Sequence, residues 1–189
     1  QTSLLLHGDG TNAGQNNTFL DGSTNAFTIT RNGNATQGSF SPFSRAPGYW
    51  SNYFNGSTDY LSVASSSNLV IGTNDHTIEC WVYPLAESLN GSGYPNPFVA
   101  KLGAGNDAGW LMGISSGGVW QFSTGASVIV RSTYQVVLNQ WYHLAAVRIS
   151  GTTNFYINGV SAGSTTTSFN FTDTAAVTIG WDSPFIYTN

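Results

Sequence analysis

The sequence has 189 residues, of which 40% are hydrophobic, 14% aromatic and only 7% charged. This length suits one large domain that buries its core without disulfides or metals, and the aromatic residues supply that core. The net charge is −4 and the five cations are scattered, which excludes a basic stripe for nucleic acid or a patch for anionic lipid. No apolar run approaches the roughly 20 residues of a membrane span. Cys80 is the single cysteine, and its apolar segment predicts a buried, inert thiol.

Short β-branched and aromatic runs recur between clusters of Gly, Asn, Ser and Pro, and no long segment has helical spacing. The pattern predicts an all-β antiparallel sandwich forming one domain over residues 1–189, with no helix beyond one turn. The predicted strands lie at residues 3–7, 27–31, 49–54, 60–63, 76–83, 98–102, 110–114, 119–123, 127–131, 141–149, 153–158, 160–164 and 176–181. Between two of them, Asn158-Gly159 predicts a type I′ hairpin, because that turn needs positive φ at both central residues.

Alternation along residues 76–83 divides the side chains between two faces. The apolar face, which we expect to join the core, carries Ile78, Cys80 and Val82. The opposite face carries Thr77, Glu79, Trp81 and Tyr83. A carboxylate flanked by two aromatic rings can stack on a sugar or on another subunit. The protein's own strands or loops can equally cover this face, so the sequence leaves both interpretations open.

Motifs that suggest catalysis or zinc binding lack the additional residues or the secondary structure that the chemistry needs. Retaining glycoside hydrolysis needs two carboxyl groups about 5 Å apart, but the same-face neighbours of Glu79 are aromatic and Glu87, the other glutamate, lies in a predicted loop. The letters GISSG at residues 113–117 fit a nucleophile elbow, yet a strand follows where the elbow needs a helix, so we predict a hairpin turn. The three histidines lack the spacing of zinc ligands. We therefore expect no enzyme.

Six segments resemble, in the right order, the laminin-G-like, concanavalin A-like jelly rolls. They are LLLHGDG at 4–10, FNGSTDYLSV at 54–63, HTIECWVYP at 76–84, WYHLAAVR at 141–148, FYING at 155–159 and VTIG at 177–180. The opening segment is similar to that of copies from bacteria and their phages. The resemblance covers almost the whole chain and implies an antiparallel jelly-roll sandwich. It does not define function, since the fold hosts glycan lectins, adhesion modules, phage appendage domains and some hydrolases.

The resemblance also implies two features near the termini. Such domains normally close with a further strand, which the sequence after Trp181 does not show. The domain is therefore expected to lack its closing strand, and the open sheet edge to be covered by a neighbouring subunit or by residues outside this sequence. The structural Ca²⁺ of the family often lies near the paired termini, which makes Asp9 and Asp21 candidate ligands. Because Ca²⁺ takes six to eight oxygens, this set looks incomplete.

The sequence predicts recognition or assembly as the function. The resemblance and the neutral Ser/Thr/Asn/Gly surface favour a non-catalytic structural or adhesive domain of a phage virion or surface appendage (tail fibre, capsid decoration or filament subunit) that forms a homo-oligomer. The alternative is an extracellular glycan-binding lectin module with Ca²⁺ as a candidate cofactor. Aromatic area is what a weakly charged glycan site uses. The candidate glycan-binding residues are aromatics in or beside predicted loops, namely Tyr94, Trp110, Trp120, Tyr134 and Trp181.

Overall fold

The structure is a computed structural model that describes residues 1–43, 49–86, 95–103, 107–180 and 186–188. In these ranges the regular elements are strands and a single turn of 3-10 helix at Ser67–Leu69. The strands are β1 Ile29–Asn32, β2 Thr36–Gly38, β3 Ser51–Phe54, β4 Tyr60–Val63, β5 His76–Pro84, β6 Asn96–Lys101, β7 Trp110–Ile114, β8 Val119–Ser123, β9 Val128–Gln135, β10 Tyr142–Ile149, β11 Thr152–Ile157, β12 Val160–Thr165, β13 Val177–Ile179 and β14 Ile186–Thr188. No helix in this described part could cross a membrane. The all-β prediction is confirmed.

Two antiparallel seven-stranded sheets pack against each other. Sheet I has the strand order β1-β4-β13-β6-β7-β8-β9, and sheet II has the order β12-β11-β10-β5-β14-β3-β2. One hydrophobic core lies between them and receives buried side chains from both sheets, such as Trp120 and Phe122 from sheet I and Phe54, Leu144 and Phe155 from sheet II. Each such side chain contributes about 1.5–3 kcal/mol by leaving water. The predicted antiparallel sandwich is confirmed.

Two predicted turns are present. Asn158 and Gly159 have φ values of 52° and 78°, and Ile157 pairs with Val160 across them, as a type I′ hairpin requires. The GISSG segment joins β7 to β8 as a second hairpin, in which the Ser115 N–H donates to the Val119 carbonyl at 2.9 Å. The interpretation of this segment as a turn is confirmed.

The prediction of a strand at residues 3–7 is wrong. The N–H of Leu5 donates to the Asp21 carboxylate at 3.0 Å, and the Leu5 carbonyl accepts from Gly22 at 2.7 Å. Because a side chain replaces one of the strand partners, the segment forms only isolated bridges, at Leu6 and Gly8. The short polar strand β2 was in turn not predicted, and it forms through its pairing with β3.

The strand β14 is one that the sequence did not predict, and the expected lack of a closing strand stays a prediction. β14 follows residue 181 and lies between β3 and β5, with Tyr187 opposite both Tyr53 and Tyr83. Its three residues are too few to show a strand pattern in the sequence. Along β5 it pairs only with residues 82–84, so most of that edge has no partner strand among the described residues.

Candidate functional site

The solvent face of β5 and β10 gathers the chemistry that the alternating pattern predicted. Ile78 and Cys80 pack against the core and Val82 is fully buried, which confirms the predicted core face. Glu79 and Trp81 therefore point away from the core, and their neighbours on β10 complete the outer surface of sheet II.

Three side chains from two adjacent strands form the centre of this surface. Trp81 lies directly opposite His143 in the register of β5 and β10, and the two ring centroids are 5.2 Å apart. The Glu79 carboxylate reaches the same imidazole diagonally, with 3.5 Å between Oε2 and Nε2. The type I′ turn holds this strand position, since Asn158 exchanges two 2.8 Å hydrogen bonds with the backbone of His143. The arrangement offers an aromatic plane with a carboxylate and an imidazole beside it.

Loop aromatics extend this centre into a larger surface. Phe43 packs edge-on against Trp81 at 5.2 Å and also contacts Tyr49, and these two loop side chains are 53% and 52% exposed. A second group, Phe40, Tyr83 and Trp141, has ring centroids 4.8–5.5 Å apart. We call the whole set the outer aromatic face. It consists of Phe40, Phe43, Tyr49, Glu79, Trp81, Tyr83, Trp141 and His143. Phe40, Phe43 and Tyr49 cover the strand side chains in part and are themselves open to solvent. Contact of this face with a sugar or another subunit stays a prediction.

The predicted glycan-binding aromatics do not come together. Trp120 is 1% exposed and Trp110 is 7% exposed, and both belong to the hydrophobic core. Their strands, β8 and β7, lie inside sheet I and point these rings inward, so neither ring offers a face to a sugar. Tyr134 is 56% exposed but lies on β9, in the other sheet from the outer aromatic face. Tyr94 and Trp181 lie outside the described residues.

The proposed calcium ligands do not fit a calcium site. Both oxygens of Asp21 are engaged by protein donors, namely the N–H groups of Leu5, Ser23 and Phe27 and the hydroxyl of Ser23, at 2.8–3.0 Å. Ca²⁺ needs oxygens free to coordinate it, and these are occupied by hydrogen-bond donors. Asp9 is exposed and lines a separate shallow cavity of about 270 Å³. The described part of the chain holds no group of three His, Cys, Asp or Glu side chains suited to a metal ion.

Asp21 instead stabilises the amino-terminal segment, which predicts a pH-dependent stability. Burial raises the pKa of its carboxyl, but the hydrogen bonds from Phe27, Leu5 and Ser23 outweigh burial and hold that pKa below its ordinary value. The stabilisation is therefore complete above the unfolded pKa of about 3.9 and is lost as the pH falls through the lower folded pKa. We expect Asp21→Asn to lower the free energy of unfolding by about 1–2 kcal/mol at pH 7 and to flatten its acid dependence.

Urea denaturation between pH 2 and 7 measures this effect. The matched control is Asp9→Asn, since the Asp9 carboxylate is exposed and accepts no hydrogen bond from the described residues. Equal acid dependence in Asp21→Asn and the parent chain would contradict the assigned role.

Cys80 packs against the core as a half-buried structural thiol, less buried than the sequence predicts. Burial, reinforced by the nearby Glu79 carboxylate, raises its pKa to about 12. A thiol with this pKa stays protonated at neutral pH, and its sulfur lies 4.0 Å from the sulfur of Met112 in the core. Cys80 is therefore no nucleophile beneath the outer aromatic face.

Comparison with known proteins establishes the family. The sequence profile of the concanavalin A-like lectin/glucanases superfamily matches residues 55–187, well over half of the chain. The chain belongs to this superfamily. The match includes β5 and β10, and so the centre of the outer aromatic face. No curated protein matches the chain.

Solved structures share this superfamily fold at low sequence identity. The fourth domain of an extracellular GH43 arabinanase from Geobacillus stearothermophilus, solved in complex with arabinotriose, is 20% identical with a TM-score of 0.63, over 98% of this chain and 91% of that domain. The binding domain of botulinum neurotoxin serotype D is 14% identical with a TM-score of 0.62, over 99% of this chain and 46% of that one. Trypanosoma rangeli sialidase is 14% identical with a TM-score of 0.61, over 100% of this chain and 30% of that one.

Proposed function

We propose that the domain is a non-catalytic glycan-binding module and that the outer aromatic face is its binding surface. The observation that carries this proposal is Trp81, which stands on the solvent face between the exposed ring of Phe43 and the imidazole of His143. Sugar rings present C–H faces that pack on aromatic planes, while their hydroxyls need hydrogen-bonding groups at the edge. Glu79 and His143 supply such groups beside the tryptophan.

One matched structure supports this class of ligand. The arabinanase domain was solved in complex with arabinotriose. The arabinanase is extracellular, and we propose an extracellular location for this chain as well. A role in a phage virion and homo-oligomer formation stay predictions, since no matched structure favours them over the lectin alternative.

The charge of the face selects among glycans. Glu79 is the carboxylate at its centre, and the side chains described around it include no arginine or lysine. The buried cations are engaged elsewhere: Lys101 with loop carbonyls, and Arg148 with Thr73, Gly151 and Ser168. A sialic or uronic acid would meet the Glu79 carboxylate without a balancing cation from the described residues, which is unfavourable in a partly desolvated site. A neutral glycan fits best.

Among the described residues, the spacing of Glu79 and Asp75 supports a binding role over hydrolysis. Asp75 precedes β5, and four residues of extended chain place it about 13 Å from Glu79. Retaining hydrolysis needs two carboxyl groups about 5 Å apart, and inverting hydrolysis about 6.5–9.5 Å. Asp75 also accepts the N–H of Ser150, at 2.9 Å, and so has a structural partner. Glu79 is therefore assigned to binding.

A glycan array followed by calorimetric titration of the strongest neutral hit tests the proposal. We expect Trp81→Ala to weaken binding by about tenfold or more, because one stacking platform contributes on the order of 1–2 kcal/mol. Phe43→Ala, at an exposed loop position, should weaken binding without affecting folding. The matched control is Tyr134→Ala, which removes an exposed aromatic from the other sheet and should leave affinity within about twofold.

Two outcomes would refute the assignment. One is a loss of affinity in Tyr134→Ala that equals the loss in Trp81→Ala. The other is an array on which only acidic glycans bind, because the carboxylate of Glu79 opposes them.

A further inference from the structure

Aromatic side chains repeat along the strand direction on the outer aromatic face. Trp81 and Tyr83 are two residues apart on β5, so both point to the outer side of sheet II and are separated by about 6.5 Å along the strand. His143 lies opposite Trp81 on β10. Trp141, two residues before His143, contacts Tyr83 with 5.4 Å between ring centroids. The face therefore carries two pairs of rings, one after the other along β5.

A loop ring rests on each of these pairs. Phe43 packs edge-on against Trp81 at 5.2 Å, and Phe40 packs edge-on against Tyr83 at 4.8 Å. The two loop side chains are 53% and 44% exposed, so each pair is joined by a ring that is open to solvent. We call the two groups the first stacking position (Phe43, Trp81 and His143) and the second stacking position (Phe40, Tyr83 and Trp141).

Polar side chains flank the first stacking position. The side chains of Glu79 and His143 are 59% and 27% exposed and lie 3.5 Å apart, beside the Trp81 ring. A carboxylate and an imidazole can both form hydrogen bonds with sugar hydroxyls. The second stacking position consists of three aromatic rings, which supply area for the C–H face of a sugar. The two positions thus differ in what they can recognise.

We propose that the outer aromatic face binds an extended neutral oligosaccharide of at least two residues, with one sugar ring on each stacking position. This inference rests on the glycan-binding function proposed above and adds the length and linkage of the ligand. The separation of about 6.5 Å along β5 is comparable to the length of one sugar residue in an extended chain. The first position recognises the hydroxyls of one ring, and the second position adds the stacking of its neighbour.

The straight arrangement of the two positions selects the linkage. A chain linked equatorially at C1 and C4 keeps its pyranose rings in line, whereas an axial linkage turns the chain away from the second position. In the equatorial chain each ring is flipped relative to the one before it, so opposite ring faces meet the protein. Both faces must then present C–H groups without an axial hydroxyl in order to stack on the aromatic rings.

This requirement selects the configuration of the sugar. Glucose and xylose in β-1,4-linked chains carry no axial hydroxyl on either face. Mannose has one at C2 and galactose has one at C4. The ligand class is therefore a β-1,4-linked oligosaccharide with the configuration of glucose or xylose.

The test is a ¹H–¹⁵N NMR titration of the full chain with glucose, cellobiose and cellotriose, which also measures weak binding. We expect cellobiose to bind about fivefold or more tightly than glucose, because it adds one stacked ring, and cellotriose to bind at least as tightly as cellobiose. Xylobiose should gain similarly over xylose. Maltose, which has an axial linkage, and β-1,4-mannobiose, which has axial hydroxyls, are the matched controls. Each should gain less than about twofold over its own monosaccharide.

A variant at the second stacking position separates ligand length from folding. Phe40→Ala removes the exposed ring and leaves the more buried Tyr83 and Trp141, whose centroids lie 4.8 and 5.5 Å from that of Phe40. It should reduce the gain of cellobiose over glucose to about twofold or less and leave glucose binding unchanged within about twofold. Phe40→Tyr keeps a ring there and should keep the gain. A folding defect would instead weaken glucose and cellobiose equally, as Trp81→Ala should by removing the platform of the first position.

The possible failures are distinguishable. Glucose that binds as tightly as cellobiose would overturn this inference and leave glycan binding in place. The same holds for a gain of maltose or mannobiose equal to that of cellobiose, and for an array on which neutral glycans bind but neither cellobiose nor xylobiose does. An array without any neutral glycan bound would remove the proposed function and this inference with it.

Discussion

Replacement of Trp120 by alanine is expected to lower the free energy of unfolding by about 3–5 kcal/mol. The side chain is 1% exposed and packs against Tyr142 at 4.6 Å and Phe98 at 5.8 Å between ring centroids. These partners come from both sheets, so the truncation leaves a cavity in the centre of the sandwich. Urea denaturation followed by tryptophan-independent far-UV circular dichroism measures the change.

The same variant separates a core role from a ligand role. If Trp120 served as a sugar platform, its truncation would reduce binding and leave stability within about 0.5 kcal/mol, as surface changes do. Tyr134→Ala is the matched control for stability, since that aromatic is exposed on β9. A stability loss of Trp120→Ala no larger than that of Tyr134→Ala would contradict its position in the core.

Gly113→Ala is expected to destabilise the domain by about 3 kcal/mol or more. A Cβ at this position would lie 2.1 Å from the carbonyl oxygen of Asn96 and 2.8 Å from the Cα of Pro97. Both atoms belong to the backbone of β6, which cannot move aside without breaking its pairing with β7. Overpacking against backbone at this distance exceeds the usual range of 1–3 kcal/mol for a crowded core. Thermal denaturation of the purified variant measures the effect.

Gly117→Ala is the matched control for this prediction. It lies four residues along the same GISSG segment, and the nearest atom to its added Cβ would be 3.8 Å away. We expect no change beyond about 0.5 kcal/mol. A Gly113→Ala variant as stable as the parent chain would contradict the close approach of Gly113 on β7 to the backbone of β6.

The regular part of the fold could be predicted from sequence because local rules decide it. Alternation along β5 separates core from solvent side chains, and Asn158-Gly159 specifies the hairpin through positive φ. The wrong or missing strand predictions arise where contacts between distant residues decide the local structure. The segment at residues 3–7 has the sequence pattern of a strand, but the Leu5 N–H donates to the Asp21 carboxylate and not to a neighbouring strand. β14 has three residues and no pattern of its own, so only its two neighbouring strands define it.

Only the residues of the candidate site that lie on strands could be predicted from the sequence. Glu79 and Trp81 follow from the alternation of β5, and the sequence indicated their common face. Phe43 and Tyr49 come from a loop more than thirty positions earlier, and no local pattern brings them to Trp81. Trp110 and Trp120 lie beside predicted loops in the sequence, and only the strand order of sheet I shows that they are central and buried.

The indole N–H signals of Trp81 and Trp120 provide the most direct test of glycan binding at the outer aromatic face. In a ¹H–¹⁵N spectrum titrated with the best neutral glycan from the array, the Trp81 indole should shift in a saturable way while the Trp120 indole stays in place. A Trp81 indole that does not move while the glycan binds, with shifts near Tyr134 instead, would contradict the account.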